Sequence, residues 1–203
     1  SLIGETGIDI PAAMRRRMLN VYDDAIRYSD AFIKRLREDL AEFDPVFVIH
    51  ADHGEAFGEH GFYGHLPHPY EEVTHVPLVV ANAGGPTRVE RPFSLLELPS
   101  VIQQIAETGE ANIPADACRW GTTKIIRDGE PVTGLRFDDW KYIHDDGTEL
   151  YHLKKDPKER TDVATSHQRL VDACEEIIQQ RQQTDRERQL IRDALVAENG
   201  VAL

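Results

Sequence analysis

Six of the nine histidines fall within one stretch of 26 residues: His50, His53, His60, His65, His68 and His75. Interleaved with them stand Asp52, Glu55, Glu59, Glu71 and Glu72. Imidazole nitrogens and carboxylate oxygens, with no thiolate among them, are donors for a divalent cation such as Ca²⁺, Mg²⁺, Mn²⁺ or Zn²⁺. The sharpest element is Asp52-His53-Gly54. Two adjacent donors can reach one ion if the backbone turns sharply, and a glycine permits the turn. Blander roles compete with this one. Asp52 can serve as a loop-start cap. His60, in Gly58-Glu59-His60-Gly61, suits a hydrogen-bond partner that orders the loop, and His75 suits a structural residue at the start of a strand. The role of His50 stays open.

The surrounding pattern says what must hold this stretch. Over residues 13–43 apolar side chains recur at steps of three and four, from Met18 and Tyr22 to Leu36 and Leu40, which predicts one long helix stopped by Asp44-Pro45. Val46-Phe47-Val48-Ile49 and Pro77-Leu78-Val79-Val80-Ala81 are short apolar runs of the kind that form strands buried on both faces. The histidine stretch lies between them, just past the end of the first strand, where α/β sheets place their ligand sites. A helix over 96–107 follows, ending near Gly109. Together these elements predict an α/β layer with a largely parallel sheet. Beyond about residue 110 the pattern changes to short strands at 122–127, 132–137, 140–144 and 149–153, with Asp128-Gly129 and Asp145-Asp146-Gly147 at the turns. That spacing predicts an antiparallel meander. A last helix is expected over 166–199, with an apolar stripe (Leu170, Ala173, Cys174, Ile177, Ile178) in its first half and a solvated second half.

Two runs carry a family resemblance. HADHGEAFGEHGFYGHLPHPYEEVTHVPLVV resembles the C-terminal metal motif of sulfatases in the alkaline phosphatase superfamily, and DDWKYIHDDGTELYHLKKDPKERTDVA resembles the small C-terminal subdomain of the same family. The likeness extends from about Val21 to Ala164. It implies part of an alkaline-phosphatase-like α/β/α sandwich in residues 1–110, followed in 111–203 by a small antiparallel sheet subdomain with a C-terminal helix. It also implies that Asp52 and His53 are metal ligands for one divalent cation, Ca²⁺ first, with Mg²⁺, Mn²⁺ or Zn²⁺ as alternatives. His65 or His68 falls where many members place a lysine or histidine before the Tyr-Glu pair, here Tyr70-Glu71. No lysine stands between Lys34 and Lys124, so a histidine must fill that role. His65 is the catalytic candidate and His68 the substrate-binding one, and a histidine there makes activity sensitive to pH near neutrality.

The resemblance implies hydrolysis of a small-molecule or glycan sulfate ester by a formylglycine nucleophile, formed from Cys or Ser in a Cys/Ser-x-Pro-x-Arg motif. That motif does not occur in these 203 residues, nor does the early aspartate pair that completes the metal site; Asp23-Asp24 lies within the predicted helix. Two ligands, one of them a neutral imidazole, do not satisfy Ca²⁺ or Mg²⁺, which take six or more donors. The chain is therefore expected to be the C-terminal portion of such an enzyme and inactive alone. The alternatives are a phosphodiesterase, phosphonate hydrolase or phosphoethanolamine-type transferase of the same superfamily, or a remnant that keeps the fold as an interaction module. Composition narrows the partners. Thirty-six acids against 23 bases leave a net charge of −13, and only six of the bases are lysine, a balance that excludes nucleic acid as the main partner and suits solubility at high salt. No apolar run approaches the ~20 residues of a membrane span. Cys118 and Cys174 occupy no metal or disulfide spacing and are expected to be small apolar residues.

Overall fold

A 28-residue helix, α1 (Ala12–Asp39), leads the chain after Pro11. It ends in a 3₁₀ turn at Ala41–Phe43, and Asp44 takes a left-handed φ of 44° ahead of Pro45. The structure is a computed structural model that describes residues 10–65, 68–85, 88–111, 120–127 and 129–199, so Cys118 lies outside the described residues. The expected apolar stripe is present on α1, but no α1 residue is buried: Val21, Ile26, Tyr28 and Phe32 are all more than half exposed.

The two apolar runs form β1 (Phe47–His50) and a second strand (Leu78–Ala81), separated by the histidine loop. The loop itself holds β2 (Ala56–Phe57), β3 (Tyr63–Gly64) and the one-turn helix α2 (Glu71–Thr74), so the Leu78–Ala81 strand is β4. The parallel arrangement expected from sequence is not what these two strands adopt. β1 and β4 pair antiparallel, with Val48 opposite Val80. A parallel pair needs a crossover that carries the chain back to the strand's starting edge, commonly a helix of several turns. The loop offers a two-residue hairpin and a single helical turn instead. Nor are the strands buried on both faces; they are half-buried, with His50 and Val79 exposed. Helix α3 (Leu98–Thr108) follows, preceded by a 3₁₀ turn in which Ser94 Oγ accepts from Leu96 N–H, and closed by Gly109 at φ 75°. That left-handed C-terminal position is one that glycine occupies without steric cost.

The meander is as the turns predict: β5 (Trp120–Arg127), β6 (Glu130–Phe137), β7 (Trp140–His144) and β8 (Thr148–His152) pair in sequence order, all antiparallel. The β6–β7 turn needs only Asp138 and Asp139, and Asp138 takes the positive φ that short hairpin turns demand. Alternation splits the sheet into two faces. Leu135, Tyr142 and Leu150 point toward α4 (Gln168–Asn199) and pack with Val171, Cys174 and Ile178. Cys174 is thus an apolar core residue whose thiol burial pushes up to about 11. Val132, Ile143 and Tyr151 point the other way and pack with Tyr70 of the histidine loop. Gly134, on that second face, admits Pro69 so closely that a Cβ there would meet the proline Cβ at 3.0 Å.

The second face also carries the junction's polar core. Lys141, 1% exposed, donates from Nζ to Glu71 Oε1 at 3.0 Å and to Thr74 Oγ1 at 2.7 Å, both on α2. Arg136 Nε lies 3.7 Å from the other Glu71 oxygen. Opposite, the Asp156-Pro157-Lys158-Glu159 turn aims Glu159 inward, at φ 49°, while Asp156 Oδ2 accepts from the amides of Arg160 and Thr161. Replacing Lys141 by methionine keeps the volume and strands Glu71 with Arg136 alone, so the expected loss is about 3 kcal/mol of unfolding free energy, near the lower bound for breaking a buried pair. Urea unfolding followed by tryptophan fluorescence measures it; a change within about 0.5 kcal/mol, the scatter of ordinary surface substitutions, contradicts this assignment.

Candidate active site

Past β1 the chain bends at Asp52 and passes through His53, Gly54 and Glu55 into β2. Gly54 is fixed by necessity: its N–H donates to Val73 O at 2.8 Å, and a Cβ on it would sit 2.0 Å from the carbonyl oxygen of Glu72. The glycine of the Asp-His-Gly run thus clamps the loop against α2, and does so through close backbone approach, with no unusual φ. Asp52, its side chain 87% exposed, accepts the His53 N–H at Oδ1 (3.0 Å), and its Oδ2 lies 3.7 Å from His53 Nε2. Hydrogen bonds from its own backbone N–H and that of His53, together with the nearby imidazoles of His53 and His50, hold the Asp52 carboxyl below its usual range, so it is anionic at neutral pH. His53 Nδ1 stands 3.0 Å from Gly54 O. A carbonyl can only accept, so Nδ1 is the donor, and in the neutral ring Nε2 is the nitrogen that offers a lone pair.

The short hairpin delivers the next residue. β2 and β3 pair Ala56 with Gly64, and continuing that register one step sets Glu55 opposite His65. His65 Nδ1 lies 3.4 Å from Glu55 Oε2, and its ring stacks on His53 with centroids 4.1 Å apart. One donor atom from each of His53, Glu55 and His65 falls within 4.8 Å of the others. The structure therefore brings His53 and His65 together, with Asp52 beside His53 but outside the set of donors that lie within 4.8 Å of one another. Glu55, a donor with no role assigned from sequence, belongs with the two imidazoles; its two-residue spacing from His53 was the available signal.

The other histidines sit elsewhere. His68 is half-buried against Phe62 (centroids 3.8 Å), with Tyr70 beyond, and burial and Arg127 lower its pKa. His60 orders the loop. Its φ is 52°, its ring stacks on Tyr70 at 3.7 Å, Nε2 lies 3.0 Å from Glu159 O and Nδ1 lies 2.8 Å from Glu72 Oε1. Both neighbours are acceptors, which favours the doubly protonated ring. Burial opposes that charge, but the bond and attraction to Glu72 and the Glu159 carbonyl outweigh it and raise the pKa. His50 is exposed, with Nδ1 3.1 Å from Ala51 O. His75 is 80% exposed at its side chain, its Nδ1 3.9 Å from Glu71 Oε2, and so is not enclosed in the way its place before β4 suggests. Beside His60, Glu159 Oε2 accepts the Glu71 N–H at 2.7 Å, while Oε1 has no hydrogen-bond partner among the described residues. Burial pushes the Glu159 carboxyl up to about 7, with Lys141 only partly offsetting it.

A carboxylate–imidazole pair thus stands past a strand end, beside an imidazole brought across by a hairpin, on a loop braced by the antiparallel sheet. Comparisons narrow this further. The family model described as Sulfatase matches residues 5–107, half of the chain. The chain belongs to the sulfatase family. It is 25% identical over 161 residues to the Δ4,5-hexuronate-2-O-sulfatase of Bacteroides thetaiotaomicron, covering 66% of this chain and 34% of that protein. Among solved structures it is similar in fold to the phosphonate monoester hydrolase of Agrobacterium radiobacter (TM-score 0.59, 21% identity, 76% of this chain and 39% of the other). It is also similar to BT4656 in complex with its substrate D-glucosamine-2-N,6-O-disulfate (TM-score 0.52, 21% identity, 77% and 38%). The chain spans about a third of the length of the curated relative it matches.

Two outcomes follow from the loop's chemistry. Gly54→Ala forces a Cβ into the Glu72 carbonyl and costs about 1–3 kcal/mol, read as a lowered urea midpoint; retention of the wild-type midpoint contradicts the clamp. The second concerns pH. A Glu159 carboxyl near 7 in the folded chain, against 4.5 unfolded, means that the folded state holds a proton the unfolded state has released between those values. Its contribution to stability therefore declines as pH rises from 4.5 to about 7. His60, raised above 6.5, contributes below 6.5 and loses that contribution as pH rises further, in the same direction. Urea midpoints from pH 5 to 8 are expected to fall less steeply in Glu159→Gln than in the wild type; parallel profiles contradict the assignment.

Proposed function

We propose that this chain is the C-terminal portion of a metal-dependent sulfatase that hydrolyses sulfate esters. The observation that carries the reading is the place of His53 past β1, with Asp52 beside it and His65 stacked on it, in a chain of the sulfatase family. In this reading residues 1–110 supply part of the α/β core with its metal loop, and 111–203 supply the subdomain that braces it. The bare flank of α1 supports the division from a larger core: Val21, Ile26, Phe32 and Leu36 are exposed, as is Val79 on β4. So does the length, about a third of the curated relative's.

The donor chemistry fits a divalent cation. Asp52 is an exposed anion, and His53 has its Nε2 lone pair fixed by Gly54 O, so these two would hold the ion, Ca²⁺ first and otherwise Mg²⁺, Mn²⁺ or Zn²⁺. The remaining donors must come from water or from residues beyond these 203. When bound, the cation neutralises charge on the sulfate ester oxygens. The chain's own work is positioning. Glu55 orients His65, and His65 faces the anion as a proton donor to the leaving oxygen. His68, held by Phe62, lines the side nearest the subdomain and binds substrate through its ring. The substrate class is a small-molecule or glycan sulfate ester, and the nucleophile is a formylglycine outside this sequence.

The test extends the chain upstream in its own reading frame and measures hydrolysis of 4-nitrophenyl sulfate with Ca²⁺ present. The 203-residue chain is expected to give no turnover. The longer protein, carrying a Cys/Ser-x-Pro-x-Arg motif, is expected to turn over, and His65→Ala to lower kcat by roughly 10²–10⁴-fold, the range for a general acid. Asp52→Ala is expected to remove the Ca²⁺ dependence. A longer frame without the motif, or one that prefers a phosphonate ester, overturns the sulfatase reading.

A further inference from the structure

The loop carries a second donor set that overlaps the first without coinciding with it. His53, Glu55 and His65 each place one ligand atom within 4.8 Å of the other two. Asp52 is not a member; its carboxylate turns back to the His53 amide. The three are held by independent means. Gly54, clamped on Val73 O, fixes the backbone between His53 and Glu55. The β2–β3 register fixes His65 opposite Glu55. The Gly54 carbonyl receives the Nδ1 proton of His53, the arrangement by which a backbone oxygen orients a metal-binding imidazole and leaves Nε2 to ligate.

Two imidazoles and one carboxylate are the wrong donors for Ca²⁺, which takes six to eight oxygens, and the right ones for Zn²⁺ and its first-row neighbours. Three protein donors also leave a coordination position open to water, as in zinc sites that keep an exchangeable ligand. We propose that His53, Glu55 and His65 form a site for a Zn²⁺-class transition metal, and that filling it silences the sulfate site. The first half stands on geometry alone. The second rests on the function proposed above, because His53 is shared with the Asp52–His53 pair and His65 is the residue placed at the sulfate. One imidazole nitrogen cannot serve both ions, and a ligated His65 has given up the proton of its coordinating nitrogen, so it can no longer act as an imidazolium acid.

Co²⁺ is the probe, since it reports its coordination through visible absorption, and the 203-residue chain is the sample. One equivalent of Co²⁺ is expected to bind with a ligand-field spectrum of low coordination number, to be displaced by Zn²⁺, and to resist excess Ca²⁺. Binding is expected to weaken at least tenfold in Glu55→Gln and in His65→Ala, with unchanged circular dichroism, and to persist in Asp52→Asn. A featureless titration at millimolar Co²⁺, or binding lost in Asp52→Asn but kept in Glu55→Gln, overturns the site; the latter places the ion on the Asp52–His53 pair and leaves the proposed function intact. For the second half, Zn²⁺ is added to the extended, active protein. Inhibition reversed by chelation and Ca²⁺ supports it, and full activity with Zn²⁺ bound overturns it. Failure of the extended protein to hydrolyse sulfate esters counts against the proposed function and leaves the Co²⁺ result standing.

Discussion

Lys141 projects from the middle strand of the meander into a space closed to water, and its ammonium finds Glu71 and Thr74 on the single turn of helix that follows the histidine loop. A lysine in that position costs desolvation that only well-placed partners offset. Here the partners belong to a different part of the chain, so the ion pair forms only when loop and sheet are docked. Glu159 adds to the same junction by accepting the Glu71 N–H at Oε2, and its backbone carbonyl accepts a hydrogen bond from His60 Nε2. Groups separated by up to 99 residues are thereby tied into one junction.

The histidine loop inherits its shape from that junction. α2 is too short to be stable by itself. Docked on Lys141 and Glu159, it presents the Val73 carbonyl to Gly54 and the Glu72 carboxylate to His60, and these two contacts pin both ends of the β2–β3 hairpin. The separation of Glu55 from His65 is a consequence of that register. On the far flank Arg15 of α1 reaches Glu59 at 3.2 Å and Tyr22 meets Phe57 edge-on, a lighter contact with the helix side that is otherwise bare.

What the sequence disclosed divides along a physical line. Local chemistry was legible: the turns of the meander, the stop at Asp44-Pro45, the capping Gly109 and the proximity of Asp52 to His53 all depend on residues near one another in the chain. The two faces of the meander, one for α4 and one for the loop, emerge only from the structure. The misreadings concern what lies across from an element. The apolar runs of β1 and β4 announce burial, yet which strand lies beside them, and in which direction, depends on the path of the residues between, and the pair is antiparallel. The stripe on α1 announces a neighbour that is absent from these residues. Glu159 reads as one more charge in Asp-Pro-Lys-Glu; that it is 1% exposed follows from a turn whose left-handed φ no pattern signals.

The same partner accounting narrows the donors at the site more than composition does. The loop contains Asp52, Glu55, Glu59, Glu71 and Glu72, an apparent surplus for one cation. Glu71 is held by Lys141, Glu72 by His60, and Glu59 by Arg15 and the Phe57 amide. Asp52 and Glu55 are left, one on each side of His53 and neither with a permanent cation beside it. A hard ion favours the fully anionic Asp52 with oxygens brought from elsewhere, whereas a softer ion finds two imidazoles and Glu55 already assembled. In the proposed reading His53 stands between the two acids with one nitrogen to offer, so the loop would serve one kind of ion at a time, and a hard ion only with donors brought from elsewhere.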